Sequence, residues 1–459
     1  MEEYPEIKIH FASFAAARDK VSRVSTLGRK KTPTAQSIAF HEIPGPDRGQ
    51  AIMKRLGCGD TLTDADACLS HAPGARGVDA LANQMEYVVS SWTGEEHYAI
   101  FEQVSKIIED VDPAVVVVDF LFRPAVDAIE YLNRLRVVMS PNALSDLFGP
   151  IQPYLAGFWK YPALGTGFSF PVPWRDIPEN VYVNFRMLWG MLMTPTPREL
   201  QSYLKSKGLK PSSLLNFRDD VVKITQTLPE ASLPVDKIPA NTTAVGAMIL
   251  DSAPAIEQDP TLVAWLGRAP TIVINFGSLF AYSAERAETM ASVVQQILTK
   301  SDLQVLWKMA PISDFGNAFA ASLQPYIEGD RLQIMLWLPI DTLTLLETDN
   351  VIASVHHGGA SSFNEATVAG VPQVVVPVWE DHYNFAQLAE DLGVGIYANR
   401  ESAPAWDVDG LVGAILEATN GSQKSLSMRK KASGIGDTVR ARPGRSAAAK
   451  MIAELVIPR

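Results

Sequence analysis

Residues 337–387 read WLPIDTLTLLETDNVIASVHHGGASSFNEATVAGVPQVVVPVWEDHYNFAQ, and this stretch decides the fold. A strand-sized apolar run at 351–354 leads into Val355-His356-His357-Gly358-Gly359, and helical spacing resumes at about Ser361. A glycine-rich turn feeding a helix points free backbone N–H groups at one spot, and the helix dipole adds about half a positive charge there. Such a corner suits a diphosphate. Ser361 and Ser362 are the expected N-cap donors, and His357 can donate to a phosphate oxygen. Glu365 follows Ser361 by four residues, on the same helix face, where its carboxylate can accept from a ribose diol. A second strand at 373–377 then delivers Trp379-Glu380-Asp381-His382 to the C-terminal edge of a parallel sheet, where ligands of open α/β folds bind.

Outward from this core the same alternation continues. Strands are expected at 271–276, 304–309, 332–336 and 395–398, with helices at 284–299, 340–346, 361–369, 384–392, 408–419 and 445–456. In the first half, strands are expected at 7–14, 39–43, 114–119 and 137–140, with a helix at 124–134. Residues 148–193 break the pattern with Trp159, Trp174, Trp189 and many prolines, and read as loops and short helices with an aromatic lining, either surface loops pinned by aromatics or a pocket for an apolar or phenolic acceptor. A chain of 459 residues exceeds one compact core. The expected division is 1–240, 241–440 and a C-terminal helix in 441–459 that packs back on the first domain.

The net charge of −11 opposes nucleic acid and anionic membrane surfaces. No apolar run reaches the length of a bilayer span. The acidic start, Met1-Glu-Glu-Tyr-Pro-Glu, has no signal-peptide character. A soluble, cytoplasmic protein is expected, with Cys58 and Cys68 as reduced thiols. Asp64-Ala-Asp66 has the form of a metal-binding DxD but lies far from the pocket and is read as structural.

The 337–387 stretch resembles the signature box of the family 1 UDP-glycosyltransferases, and phrases such as HHGGASSFNEA and VPVWEDHYNFAQ resemble its fungal branch. The resemblance implies an α/β GT-B fold, two Rossmann-like domains facing a cleft. It implies that Trp337 stacks on uracil while the Leu338 backbone reads the base edge. His357, Gly359, Ser361 and Ser362 would cradle a phosphate, Ser278 in Asn275-Phe-Gly-Ser would approach the β-phosphate, and Glu365 would hold the ribose. Asp381 and His382 would hydrogen-bond the sugar, with UDP-glucose the expected donor. No metal and no cofactor are implied. The acceptor would be a small lipophilic or phenolic molecule attacking through its hydroxyl, with inversion.

Two positions depart from the family pattern: Ile340 stands where many relatives have Gln, and His382 where many have Gln. In the family, a histidine after the first strand acts as general base and an aspartate orients it. Asp119, ending Ala114-Val-Val-Val-Val-Asp119, matches the aspartate. The histidine has no match, because the chain begins at what reads as the family's second strand. The N-terminal domain is therefore expected to be incomplete, with a central sheet position uncovered. His10 and His41 are expected to be packing residues. The leading expectation is hexosyl transfer, impaired in this chain; the alternatives are a catalytically silent UDP-sugar-binding or auxiliary protein, and a UDP-sugar epimerase.

Overall fold

The structure is a computed structural model that describes residues 1–58, 65–212, 220–250, 252–312 and 318–456. Twelve strands appear among them: β1 (His10–Ser13), β2 (Ala39–Glu42), β3 (Val116–Asp119), β4 (Arg136–Ser140), β5 (Val222–Thr225), β6 (Thr242–Ala244), β7 (Thr271–Ile274), β8 (Gln304–Lys308), β9 (Leu332–Met335), β10 (Val351–His356), β11 (Gln373–Val375) and β12 (Gly395–Tyr397). All named strand pairs are parallel.

The C-terminal sheet runs β12-β11-β10-β7-β8-β9. Its strands are near-continuous apolar runs because helices cover both faces: β7 (TIVI) and β8 (QVLWK) are buried at every position. The helix Ala284–Lys300 packs Met290, Val294 and Ile297 against one face, together with Leu411 and Ile415 of the helix Val408–Thr419. Chain order reverses on either side of β7, so the crevice beyond β7 and β10 is the topological switch point, the ligand-binding edge of such sheets. The two-Rossmann α/β architecture expected from the sequence is the one present.

The N-terminal strands form two pieces, β1-β2 and β3-β4-β5-β6. The edges of β1 and β3 do not pair with each other, and Phe11 and Val117 are 43% and 40% exposed, unlike residues of a closed parallel sheet. Among the described residues no strand pairs with β1 or β3 across this break. Aromatic packing bridges it: Phe14 stacks on Trp92 at 6.2 Å and meets Phe122 at 5.8 Å. His10 Nδ1 and His41 Nε2 lie 2.8 Å apart across β1 and β2, a pair satisfied within its own sheet.

Several expectations need correction. β6 pairs with β5, so the first sheet extends past residue 240 to Ala244. The final helix, Gly444–Val456, needs no such correction: it packs Ala448, Met451 and Ile452 on Val137, Ile224 and Val245 of the N-terminal half. A helix over Gln423–Arg440 is absent from the sequence reading: QKSLSMRKKASGIGDTVR carries serine and glycine through its length, so its apolar stripe is weak. Residues 177–193, read as loops and short helices, form one helix, Ile177–Met193, opened by proline at its first turn. Cys58 and Cys68 are joined in a disulfide, with Cα atoms 6.1 Å apart, rather than being free thiols. No described helix is long and apolar enough to cross a membrane.

Candidate functional site

The helix Ala360–Ala369 begins directly after β10 and the turn His357-Gly358-Gly359. Gly359, with φ −63° and ψ 147°, is its N-cap, and no side chain caps the first amides. Ser361 and Ser362, the expected caps, lie inside the first turn instead, so the backbone N–H groups themselves face the crevice.

The two adjacent histidines divide their work. His356 is buried; its Nε2 lies 3.0 Å from Gln373 Oε1, and its Nδ1 accepts from the Gly358 amide at 3.1 Å. It pins the turn. His357 faces the crevice, and its buried Nδ1 has no hydrogen-bond partner. Its ring is set by close backbone approach: a Cβ on Gly359 would lie 2.6 Å from His357 Nε2, and one on Gly277 2.9 Å from Cε1. Gly358, at φ +99°, would drive a side chain into the His382 carbonyl at 2.9 Å. Burial pulls His357 down to about 3, so it is a neutral donor at physiological pH.

The loop after β7 comes within reach of this ring. Asn275 Oδ1 accepts from the Gly277 amide at 3.0 Å, holding the turn that presents exposed Ser278. Trp337 is 65% exposed beside it, whereas Leu338 is buried in the core under the sheet, leaving only its backbone available. Ile340 is also buried there. Glu365 is half-buried on the helix, and burial, aided by Asp341, pushes its carboxyl up to about 7.

Asp381 is the N-cap of the helix His382–Asp391 and makes no capping bond through its side chain. Burial, with Glu380 and Asp146 nearby, raises its carboxyl well above the usual range. His382 is buried, its ring 4.4 Å from that of His357 and 4.7 Å from Trp379, with Nδ1 unpartnered. Glu380, just before Asp381, has φ +43°, a strained backbone for a non-glycine residue. The N-terminal half holds that turn in place. His71 Nε2 accepts from the Glu380 amide at 2.9 Å, Tyr383 Oη donates to the His71 carbonyl, and Asn384 Oδ1 accepts from the Gly165 amide at 3.0 Å.

Against this turn opens a cavity of about 520 Å³. Phe148, Phe158, Tyr161, Met187, Leu188 and Met191 line its apolar side, and Trp379, Glu380 and Asp381 its far end. The three tryptophans expected to line it do not: Trp159, Trp174 and Trp189 are 43%, 85% and 58% exposed and stay outside it. Composition marks the region but not the side-chain direction. Asp146 also lines the cavity, and burial pushes its carboxyl up to about 6. Arg48, another lining residue, keeps a buried Nε without a partner.

Asp119 ends β3, and its Oδ1 accepts from the Leu121 amide at 2.8 Å. Burial raises its carboxyl, with that amide and Arg48 opposing. Among the described residues no histidine hydrogen-bonds to it; His97, buried, pairs instead with Asp127 at 2.9 Å. Asp66 is in a buried ion pair with Arg286 at 3.1 Å, while Asp64 lies outside the described residues. Sequence reasoning misses Lys308, Asp146, Arg48 and His71. Lys308 ends a strand that reads as pure core, and the others carry no motif.

Comparison with known proteins gives the family and the fold. Residues 329–452 match the EryCIII-like family, described as erythromycin biosynthesis protein CIII-like, C-terminal domain. Glycosyltransferase sdnJ of Sordaria araneosa is 32% identical over 421 residues, covering 88% of this chain and 80% of that protein. UDP-glycosyltransferase stmC of Aspergillus ustus is 28% identical over 195 residues, covering 39% of this chain and 36% of the other. Among solved structures, a Polygonum tinctorium UDP-glucosyltransferase, described as capable of glucosylating indoxyl, superimposes with TM-score 0.62 at 17% identity, covering 99% and 94% of the two chains. Phytolacca americana UGT2, solved with UDP-2fluoro-glucose and pterostilbene, gives 0.63 at 13% identity, covering 98% and 100%. By sequence relationship and fold together, this chain belongs to the family 1 UDP-glycosyltransferases, GT-B enzymes that transfer a sugar from a UDP-sugar.

Proposed function

We propose that this enzyme moves a hexose, glucose first, from a UDP-sugar to a hydroxyl of a small lipophilic or phenolic acceptor, with inversion. One observation carries the reading: a cavity runs from an apolar N-terminal wall to Asp381 at the donor turn. An acceptor ring buried among Phe148, Phe158 and Met187 would bring its hydroxyl toward a sugar held by Asp381. The departing UDP would be stabilised by fixed dipoles, namely the uncapped amides of Ala360–Ala369, His357 and the Ser278 loop. Trp337 would hold uracil and Glu365 the ribose.

Asp119 lacks a hydrogen-bonded histidine among the described residues, which favours a second reading: a chain that binds UDP-sugar and transfers slowly or not at all. Incubating the purified chain with UDP-glucose and a panel of phenols and hydroxylated polycycles, followed by mass spectrometry, separates the two. A hexose adduct supports transfer. Tight UDP binding with no adduct across the panel supports the silent reading.

A further inference from the structure

The strand β8 ends in Lys308, and the site described above leaves it without a role. Lys308 is only 5% exposed. Its Nζ donates to the Gly277 carbonyl at 2.5 Å and lies 4.1 Å from the centroid of the Trp337 ring. Gly277 immediately precedes Ser278, and a Cβ added to it would lie 2.9 Å from His357 Cε1. The ammonium therefore sits at the meeting point of the base-stacking, Ser278 and His357 positions. Among the described residues no carboxylate lies within 4 Å of it, although Asp66, Asp127 and Asp341 each have a cationic or imidazole partner within that distance. A buried cation with one carbonyl and one ring face is under-compensated, and burial alone pulls it down to about 8. It stays mainly protonated at neutral pH, next to two imidazoles, His357 and His382, that burial holds neutral. Lys308 is thus the full positive charge at a corner otherwise built from dipoles.

We propose that Lys308 is a donor-phosphate residue: its ammonium binds the diphosphate of the UDP-sugar and compensates the charge that develops on departing UDP. This rests on the donor-site reading above. A lone carbonyl and ring face hold the ammonium loosely enough to turn toward a phosphate, which supplies the counter-charge it lacks.

The test compares UDP with uridine, which shares the base and ribose but has no phosphate. Titration calorimetry with Lys308→Met should show UDP affinity reduced on the order of 10- to 100-fold, as for loss of a charged hydrogen bond, and uridine affinity unchanged within about twofold. Lys308→Arg should recover most of the UDP affinity. In the wild-type chain, UDP binding should weaken with added salt while uridine binding stays flat, a readout that needs no variant. Equal loss for UDP and uridine in Lys308→Met would assign a packing role and overturn the proposal, as would unchanged UDP affinity or a salt-independent difference between the ligands. If the wild-type chain binds neither ligand, the donor-site reading itself fails.

Discussion

Gly359→Ala isolates the phosphate corner from the stability of the fold. Gly359 has φ −63° and ψ 147°, which any residue adopts, so the backbone accepts alanine. Replacing glycine by alanine at an N-cap costs about 1 kcal/mol at most, and the stiffer unfolded chain returns about 0.4–1 kcal/mol. The melting temperature should therefore barely move. Binding is another matter, because the new Cβ would lie 2.6 Å from His357 Nε2 and 3.1 Å from Cε1. Ordinary contact requires the ring to withdraw by roughly 0.8 Å, enough to misalign a hydrogen bond to phosphate. Losing a hydrogen bond to a charged group costs about 1.5–3 kcal/mol, or about 10- to 150-fold in Kd. Gly413→Ala is the control. Gly413 sits exposed in the helix Val408–Thr419, and a methyl group added there meets nothing within 4 Å. The change should stabilise by about 0.5–1 kcal/mol and leave UDP binding untouched. Calorimetric titration with UDP and thermal denaturation give both quantities. A folded Gly359→Ala chain that binds UDP as tightly as wild type would refute the placement of His357 at the phosphate.

Other outcomes follow from the same geometry. His357→Ala should weaken UDP binding by about 1–3 kcal/mol with little loss of stability, as measured by calorimetry, because its Nδ1 has no protein partner to lose. Glu365 has a folded-state pKa of about 7, above its unfolded value, so its ionisation opposes folding as pH rises through that window. Glu365→Gln should stabilise the chain at pH 8 by about 1–2 kcal/mol but not at pH 4, while weakening UDP binding; denaturant melts at the two pH values check the sign. Arg286→Met strands Asp66 as an unpaired buried carboxylate and should cost about 3–5 kcal/mol in a denaturant titration. Reducing the Cys58–Cys68 link should lower stability by up to about 2.5 kcal/mol, read from melts with and without reductant.

The donor half is legible because its signals are local and mutually consistent. A buried parallel strand, a glycine turn and a helix start follow one another within a few residues at 351–369, and each fixes the next. His357, Gly359, Glu365 and Asp381 can therefore be placed from the chain's order alone. Lys308 escapes because its meaning depends on β8 lying beside β7, a pairing that β8's own sequence, QVLWK, does not encode. Direction is harder still. Trp174 and Trp189 read as pocket lining, yet the helix Ile177–Met193 turns Met187, Leu188 and Met191 inward and Trp189 out. That helix is apolar on more than one side, so periodicity cannot choose its buried face. The cavity joining Phe148 to Asp381 depends on contacts such as His71 with Glu380, more than 300 residues apart, and no local pattern announces them.

The most direct test of transfer across this cavity is the anomeric configuration of the product formed from α-linked UDP-glucose. The expected product is a hexoside of a hydroxylated, lipophilic acceptor with the β configuration, visible as a large anomeric coupling in proton NMR. An α-linked product would contradict in-line inversion, and bound UDP-glucose released unchanged with every acceptor would contradict transfer itself.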